Sequence, residues 1–402
     1  MDMNSSLQKG SNEAATKPQE PPLVPAAAGE FVDDEPLVEA QIAIATPRQL
    51  MWWKFRKHRL AVGSAIVLII FYIIALFADF VAPYDPNIYS SSTKYVPPMA
   101  ISFVDGDGNF TFRPGVYGMS SERDPETLRE LWTVDTSVWH PIHFFVEGHP
   151  YKFLGLFDSN LHLFGVGEEA DIPVFLLGSD RLGRDMLSRV MHGARISLSI
   201  GLLSVFLSLA LGIVLGGISG YYGGWIDSVI QRIIEFIRSI PSLPLWMALS
   251  AALPPEWPQE WRYFGITIIL SVIGWTSLGR QVRGRFLALR SDDFVLAARL
   301  GGARDMRVIL RHMVPSFTSH IIASLTLSIP GIILAETSLS FLGLGLRQPV
   351  ISWGVLLQEA QNIRTVALSP WLLLPGLAVV IAVLAFNFLG DGLRDAADPF
   401  SR

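Results

Sequence analysis

The chain has 402 residues, of which half are apolar and only 17% are charged. This composition is too apolar for an ordinary soluble domain and indicates a membrane protein. Because the sequence contains no cysteine, it excludes a disulfide framework and a thiolate metal site. It also contains no Gly-Lys pair, which a phosphate-binding loop requires. We therefore expect the chain to bind no cofactor.

The chain begins with a polar segment, residues 1–50, that is rich in Pro, Ala and Glu. It lacks the basic and apolar regions of a signal peptide, so we expect a disordered cytoplasmic tail. Residues 51–82 contain the first apolar stretch, residues 83–180 follow as a long polar segment, and residues 181–402 form the remaining core.

A spanning helix needs about 20 mainly apolar residues. Six stretches qualify: Leu60–Phe80, Ile196–Ile218, Ile237–Leu253, Tyr263–Leu278, Ile321–Leu344 and Trp371–Leu389. Pro241 and Pro244 interrupt the third of them. The predicted fold class is therefore an all-α membrane protein with six transmembrane helices and an insertion between the first two.

Basic residues set the expected orientation. The segment Lys54–Arg59 precedes the first span and holds four Lys or Arg residues, and positive residues beside a span tend to stay in the cytoplasm. Six crossings then place both termini, and the loops after the second and fourth spans, in the cytoplasm. Between Arg280 and Arg311 there are eight arginines and three aspartates, which agrees with an inner loop.

The long segment at 83–180 carries many acidic residues and is expected outside the membrane. Turn-forming stretches such as "VDGDGN" indicate a small folded unit of undetermined topology. Its charge and its aromatic residues suit a docking surface, and a lid over a pore mouth is the alternative. Four histidines in it leave open a metalloenzyme, although their spacing matches no helical His-Glu-x-x-His motif: His140, His143, His149 and His162.

The second span contains a row of small residues: Ser204, Ser208, Gly212, Gly216 and Gly220. Because they recur every four residues, they lie on one helix face and let another helix approach closely. We expect this face to be a packing surface.

Three ionisable residues are candidates for the solute pathway or a subunit contact. Glu336 lies deep in the fifth span, where a charge usually faces protein or water, and we favour the subunit contact. Glu235 and Arg238 precede the third span, and Glu235 is three residues from both Arg232 and Arg238. Paired charges at the inner interface are the favoured interpretation there.

The stretch "SDDFVLAARLGGARDMRVILRHMVPS" follows the fourth span. Asp292 or Ser291 is expected to cap a helix that continues to a bend at Gly301-Gly302, after which a second helix runs to Pro315. One face of this second helix is predicted to be apolar and another basic. The apolar face comprises Met306, Ile309, Leu310 and Met313, and the basic face comprises Arg304, Arg307 and Arg311. A membrane-surface helix would also fit this pattern.

The order Ala297-Ala298, Gly302 and Pro315 resembles the cytoplasmic coupling loop of the permease subunits of ATP-binding-cassette (ABC) importers. In that family the short helix fits a groove on an ATPase subunit and carries its closure into the membrane. The stretch departs from the family signature at three positions: Leu296, His312 and Val314. The resemblance assigns coupling to residues of a loop at about 288–315, hereafter the coupling loop. These residues are Asp293, Ala297, Ala298, Arg299, Gly301, Gly302, Arg304, Arg307, Arg311, His312 and Pro315.

Further motifs extend the resemblance over residues 178–399 to the dipeptide and oligopeptide permeases: "GSDRLGRDMLSRVMHGARISLSIG", "GYYGGWIDSVIQR", "ETSLSFLGLG", "SWG" and "GDGLRDAADP". The resemblance implies a transport subunit, not an enzyme, in the bacterial inner membrane, which moves peptides by alternating access. Its implied partners are a homologous permease, two ATPase subunits, an extracytoplasmic substrate-binding protein and membrane lipid, without nucleic acid. Opines, oligosaccharides and nickel are alternative solutes. A passive channel is disfavoured because a coupling loop has no role in one.

Overall fold

The computed structural model describes residues 46–126, 130–166 and 173–397. The predicted disordered tail falls outside these residues except for its last positions, where a helix begins at Pro47. The helices are α1 Pro47–Lys57, α2 Arg59–Leu76, α3 Ala78–Val81, α4 Met186–Tyr222, α5 Gly224–Ser239, α6 Ser242–Ala251, α7 Gln259–Leu289, α8 Asp293–Leu300, α9 Asp305–Arg307, α10 Val314–Ser316, α11 Thr318–Phe341, α12 Trp353–Leu357, α13 Ile363–Leu368 and α14 Leu374–Ala397. A π-helical turn, Val308–Met313, joins α9 to α10, and 3-10 turns occupy Ser91–Thr93, Gln358–Gln361 and Pro370–Leu373.

In the described part of the chain, five helices are long and apolar enough to cross a membrane: Arg59–Leu76, Met186–Tyr222, Gln259–Leu289, Thr318–Phe341 and Pro370–Ala397. The third predicted span, Ile237–Leu253, is instead divided between the end of α5 and the 10-residue α6. Pro241 explains the break, because the residue before a proline is forced out of the helical region. Ile240 accordingly has φ −93° and ψ 131°.

The helical core is built around α4 and α7, which run parallel to each other. Ser204 donates from its hydroxyl to the carbonyl of Thr267 at 3.3 Å, and Ser208 donates to that of Ser271 at 3.1 Å. Further along both helices, Gly220 lies against Arg283. Since the residue numbers increase together along this contact, both helices point toward the same end of the bundle.

The insertion between α2 and α4 is made of β-strands, so the prediction of an all-α protein is wrong for this segment. The strands are β1 Ile101–Val104, β2 Phe110–Arg123, β3 Glu130–Pro141, β4 His143–Phe153 and β5 Phe157–Gly165. They form an antiparallel three-stranded sheet, β1-β2-β3, and a separate antiparallel pair, β4-β5. Frequent aromatic and β-branched residues in these strands favour the extended conformation. A small apolar core of Val96, Val116, Ile142 and Phe175 lies beneath them.

Candidate functional site

The coupling loop forms the predicted helix, bend and second helix. Asp292 occupies the N-cap position of α8 but makes no side-chain capping bond, and the Ser291 hydroxyl donates backward to the carbonyl of Ala288. At the bend, Gly301 has φ −74° whereas Gly302 has φ +76°. A positive φ is readily adopted only by glycine. Gly302 is therefore the residue on which the turn between the two helices depends.

A local apolar core holds this loop on the bundle. Val295 of α8 and Ile309 and Met313 of the π-helical turn are buried with Phe286 of α7 and Phe317. The predicted apolar face is only partly correct, because Met306 and Leu310 are exposed. For Leu310 the cause is the π-helical turn Val308–Met313, whose i to i+5 hydrogen bonding alters the spacing of side chains that share a face.

The outer side of the loop combines apolar and basic side chains. Leu296 and Leu300 of α8 are exposed, Leu300 to 90%. Of the residues that the resemblance assigned to coupling, Ala298 and His312 are half-buried and the others are exposed: Asp293, Ala297, Arg299, Gly301, Gly302, Arg304, Arg307, Arg311 and Pro315. Exposed leucines and arginines on one loop are typical of a protein-docking surface.

A clamp of polar side chains ties the loop to the end of α4. The Tyr221 hydroxyl donates to Asp305 Oδ1 at 2.6 Å, and the Tyr222 hydroxyl donates to Asp305 Oδ2 at 3.1 Å. Arg299 donates from Nε to the Tyr221 oxygen at 3.1 Å, and its guanidinium carbon lies 4.4 Å from the centre of the Tyr221 ring. We refer to Tyr221, Tyr222, Asp305 and Arg299 as the clamp. Sequence reasoning missed it, although the "GYYGG" motif contains both tyrosines.

The row of small residues on α4 lies along α7. All five members are buried: Ser204, Ser208, Gly212, Gly216 and Gly220. A Cβ atom added at Gly216 would fall on the carbonyl oxygen of Gly279, and one added at Gly212 would lie 2.9 Å from Leu278 Cβ. The two backbones therefore approach more closely than larger side chains would allow.

Glu336 lies inside its own chain and not at a surface. It is 0% exposed, and hydroxyl groups from three parts of the chain donate to its carboxylate. Ser340 and Ser352 donate to Oε1 at 2.9 and 2.8 Å, and Ser197 donates to Oε2 at 3.2 Å. This burial does not support the predicted pathway or subunit contact. Glu336 instead joins α4, α11 and the turn before α12.

The other two ionisable candidates lie on α5. Glu235 accepts from Arg232 at 2.9 Å in an exposed ion pair, and Arg238 donates to the Ser277 hydroxyl at 2.8 Å. The more buried pair on this helix, between Asp227 and Arg283 of α7, was not singled out from the sequence. It ties the beginning of α5 to the end of α7.

A buried charged cluster lies at the opposite end of α4. Arg184 donates from Nε to Asp180 Oδ2 at 2.6 Å and also approaches Glu359, with 3.5 Å between Nη2 and Oε1. Arg189 donates to the carbonyl of Pro86 at 2.9 Å. Burial raises the pKa of Glu359, and burial raises the pKa of Asp185, the N-cap of α4, to about 6. The cluster fixes the loops that surround this end of the bundle.

The four histidines of the insertion do not assemble a metal site. Among the described residues, no group of three or more His, Cys, Asp or Glu side chains is placed to hold a metal ion. His162 is fully buried, with Nδ1 2.8 Å from the carbonyl oxygen of Ala82 and Nε2 3.0 Å from that of His149. The ring nitrogens thus bridge the end of α3 to β4, and the metalloenzyme alternative has no support.

Comparisons with known proteins identify the family of this chain. Residues 212–402 match the family model of the binding-protein-dependent transport system inner membrane component. Residues 46–98 match that of the N-terminal transmembrane domain of oligopeptide transport permease C. Both matches fall on the helical part of the chain.

Two relatives span most of the chain between them. The oligopeptide transport system permease protein OppC of Salmonella typhimurium is 41% identical over 231 residues, which cover 56% of this chain and 72% of the relative. The glutathione transport system permease protein GsiD of Escherichia coli is 32% identical over 365 residues, covering 90% and 94%. Among solved structures, an inward-facing form of the MetNI methionine ABC transporter matches with a TM-score of 0.41 and 17% identity, covering 52% of this chain and 97% of that one. The chain belongs to the family of inner-membrane permease components of binding-protein-dependent ABC importers, which are transport subunits and not enzymes.

Proposed function

We propose that this chain is one of two permease subunits of an ABC importer for peptides, working by alternating access with two ATPase subunits and an external binding protein. ATP would be used by those ATPase subunits, with no cofactor held by this chain. The observation that carries the proposal is the coupling loop, which is fixed to the membrane helices on one side and exposes leucines and arginines on the other. The names of the relatives, one for oligopeptides and one for glutathione, support a peptide as the solute.

Six crossings are supported by the direction of α4 and α7. Since these two helices are parallel, the chain between them has to return through the same thickness. The return starts beside the end of α7, where Asp227 pairs with Arg283, and finishes beside its beginning, where Arg262 donates to the carbonyl of Pro255 at 3.1 Å. We propose that α5 and α6 together form the third crossing as a broken helix. The break is exposed on this chain, and a break within a membrane is tolerated where another protein surface or a water-filled cavity covers it.

The proposed orientation places the coupling loop in the cytoplasm and the β-insertion outside, and cysteine labelling tests it. A cysteine at Ser121, which is exposed on β2, should react in intact cells with a membrane-impermeant thiol reagent, whereas one at Arg304 should not. The chain contains no other cysteine, so each signal comes from the introduced residue alone. Reaction at position 304 in unpermeabilised cells would contradict the orientation.

We propose that the insertion contacts the binding protein on the outer face. Phe112 is 91% exposed beside Phe103 and Phe110, and aromatic anchors surrounded by charge are common in protein interfaces. Phe145 instead packs near Phe80, and Phe153 stacks on Phe77. These last contacts hold β4 near the first span, so the insertion would combine docking with covering of the pore mouth.

The solute class is tested by uptake. A strain that lacks only this subunit is expected to lose uptake of radiolabelled di- to tetrapeptides by at least about tenfold, since one missing permease prevents assembly of the pathway. Uptake of nickel, an opine and an oligosaccharide should be unchanged in the same cells. If uptake of one of those solutes were lost while peptide uptake stayed intact, that solute and not a peptide would be the substrate.

The clamp provides a test of coupling. Tyr221→Phe removes the hydroxyl that both donates to Asp305 and accepts from Arg299, while it keeps the ring under the guanidinium. We expect the number of peptides moved per ATP hydrolysed in proteoliposomes to fall several-fold, because two hydrogen bonds worth about 1 kcal/mol each are lost. Tyr222→Phe, which removes only the longer bond to Asp305, should show a smaller loss. A coupling ratio equal to the parent's in Tyr221→Phe would exclude a role for the clamp.

A further inference from the structure

A cleft of about 970 Å³ opens at the end of the bundle that carries the coupling loop, away from the clamp. Its walls come from the α1–α2 junction, the end of α7, the beginning of α11 and the end of α14. The charged and titratable side chains in its walls are His58, Arg285, His320, Asp391, Arg394 and Asp395. The two arginines and two histidines come from four different elements, and the two aspartates both lie on α14.

The basic groups of the cleft are available to a ligand. In the described part of the chain, no hydrogen bond or ion pair engages the guanidinium of Arg285 or of Arg394, and both residues line the cleft together with His320. His58 accepts the backbone N–H of Ala61 on Nδ1 at 3.1 Å, so its proton is on Nε2, which is left as a donor. These groups present hydrogen-bond donors from several sides and would suit an anion.

Apolar side chains form the rim of the same cleft. Leu60, at the beginning of α2, is 64% exposed, and Phe388 of α14 is 40% exposed. The preceding helix α1 carries exposed Trp52 and Trp53 beside Lys57. Tryptophan and basic residues together are typical of the membrane–water interface. The cleft therefore combines two unpaired arginines with an apolar edge at the level of an interface.

We propose that this cleft binds the phosphate group of an anionic phospholipid from the cytoplasmic leaflet, which rests on the orientation in the proposed function. Arginine guanidinium groups bind phosphate oxygens through paired, charge-assisted hydrogen bonds. The acyl chains would leave the cleft past Leu60 and Phe388. Free inorganic phosphate has no apolar group that could contact these two side chains. Asp391, on the same wall as Arg394, would accept a hydrogen bond from a headgroup hydroxyl, as phosphatidylglycerol provides. Basic clefts between membrane helices on the cytoplasmic side are suited to such headgroups.

The test is native mass spectrometry of the purified full chain in detergent, titrated separately with phosphatidylglycerol, phosphatidylcholine and inorganic phosphate. Phosphatidylglycerol should be retained at least about tenfold more tightly than phosphatidylcholine. A basic residue near an anionic membrane surface contributes about fivefold in affinity, so Arg285→Gln and Arg394→Gln should each weaken phosphatidylglycerol binding by about that factor. Arg364→Gln, which removes an exposed charge on α13 outside the cleft, is the matched control and should bind as the parent does.

Lysine at both positions keeps the charges and should retain most of the binding, which separates charge from a loss of folding. Equal retention of both lipids, or undiminished binding by the two glutamine variants, would overturn the proposal. Displacement of the lipid by equimolar inorganic phosphate would identify free phosphate as the ligand and overturn the lipid assignment. Because the measurement requires no transport, a failure of the peptide-import proposal would leave this result unaffected.

Discussion

Replacing Gly302 by valine is expected to reduce ATP-driven peptide transport by at least about tenfold while ATP hydrolysis by the assembled complex continues. Gly302 has φ +76°, and an L-residue in this region costs about 1–2 kcal/mol, with β-branched side chains the least tolerated. A Cβ added there meets no atom within 4 Å, so the strain comes from the backbone alone. The bend would relax and α8 would leave the position that its partner recognises.

The neighbouring glycine supplies the matched control for this prediction. Gly301 has φ −74° and ψ 8°, which alanine adopts without strain, and its added Cβ would lie in ordinary contact, 3.4 Å from the carbonyl of Ala297. Gly301→Ala should therefore transport as the parent does, whereas Gly302→Ala should show a weaker form of the valine defect. The ratio of transport to hydrolysis is measured for each of the three variants in proteoliposomes that contain equal amounts of assembled complex. Normal coupling in Gly302→Val would remove the loop from the mechanism.

The long apolar helices could be predicted because apolar composition over about 20 residues is a local property of the sequence. The stretch Ile237–Leu253 is an exception. It has the composition of a span but contains Pro241, at which α5 ends and the short helix α6 begins. The crossing that we propose for it rests on the parallel contact between α4 and α7. Such a contact joins residues more than 60 positions apart and leaves no local pattern.

In the coupling loop, too, the backbone could be predicted from local sequence but the side-chain contacts could not. The bend at Gly301-Gly302 could be predicted because glycine is the usual residue for a positive φ. The apolar face was predicted with α-helical spacing, and the π-helical turn exposed Leu310 while it buried Val308. Tyr221 and Asp305 are 84 residues apart and contact each other only because the end of α4 lies beside the coupling loop. For Glu336 the sequence indicated a costly buried charge but not the three serines that surround it.

The close contact between α4 and α7 predicts the direction in which alanine substitutions change the stability of the chain. Gly216→Ala is expected to lower the stability of the chain, because the new Cβ would meet the carbonyl oxygen and lie 3.0 Å from the Cα of Gly279, and backbone atoms cannot move aside as side chains can. Overpacking of this kind costs about 1–3 kcal/mol, and Gly216→Val should leave little folded protein. Gly331→Ala on α11 is the control, since nothing lies within 4 Å of its added Cβ.

At Gly331 the substitution should raise stability, because alanine in a helix is favoured over glycine by about 1 kcal/mol. Thermal unfolding of the purified full chain in detergent, followed by circular dichroism, should therefore give shifts of opposite sign for the two alanine variants. Ser204 and Ser208 on the same face already carry a Cβ and still donate hydrogen bonds across the contact. Glycine is therefore required only in the part of α4 that lies nearer the coupling loop. A rise in the unfolding temperature of Gly216→Ala would show that the two helices can separate there without cost, and would contradict the packing described for α4 and α7.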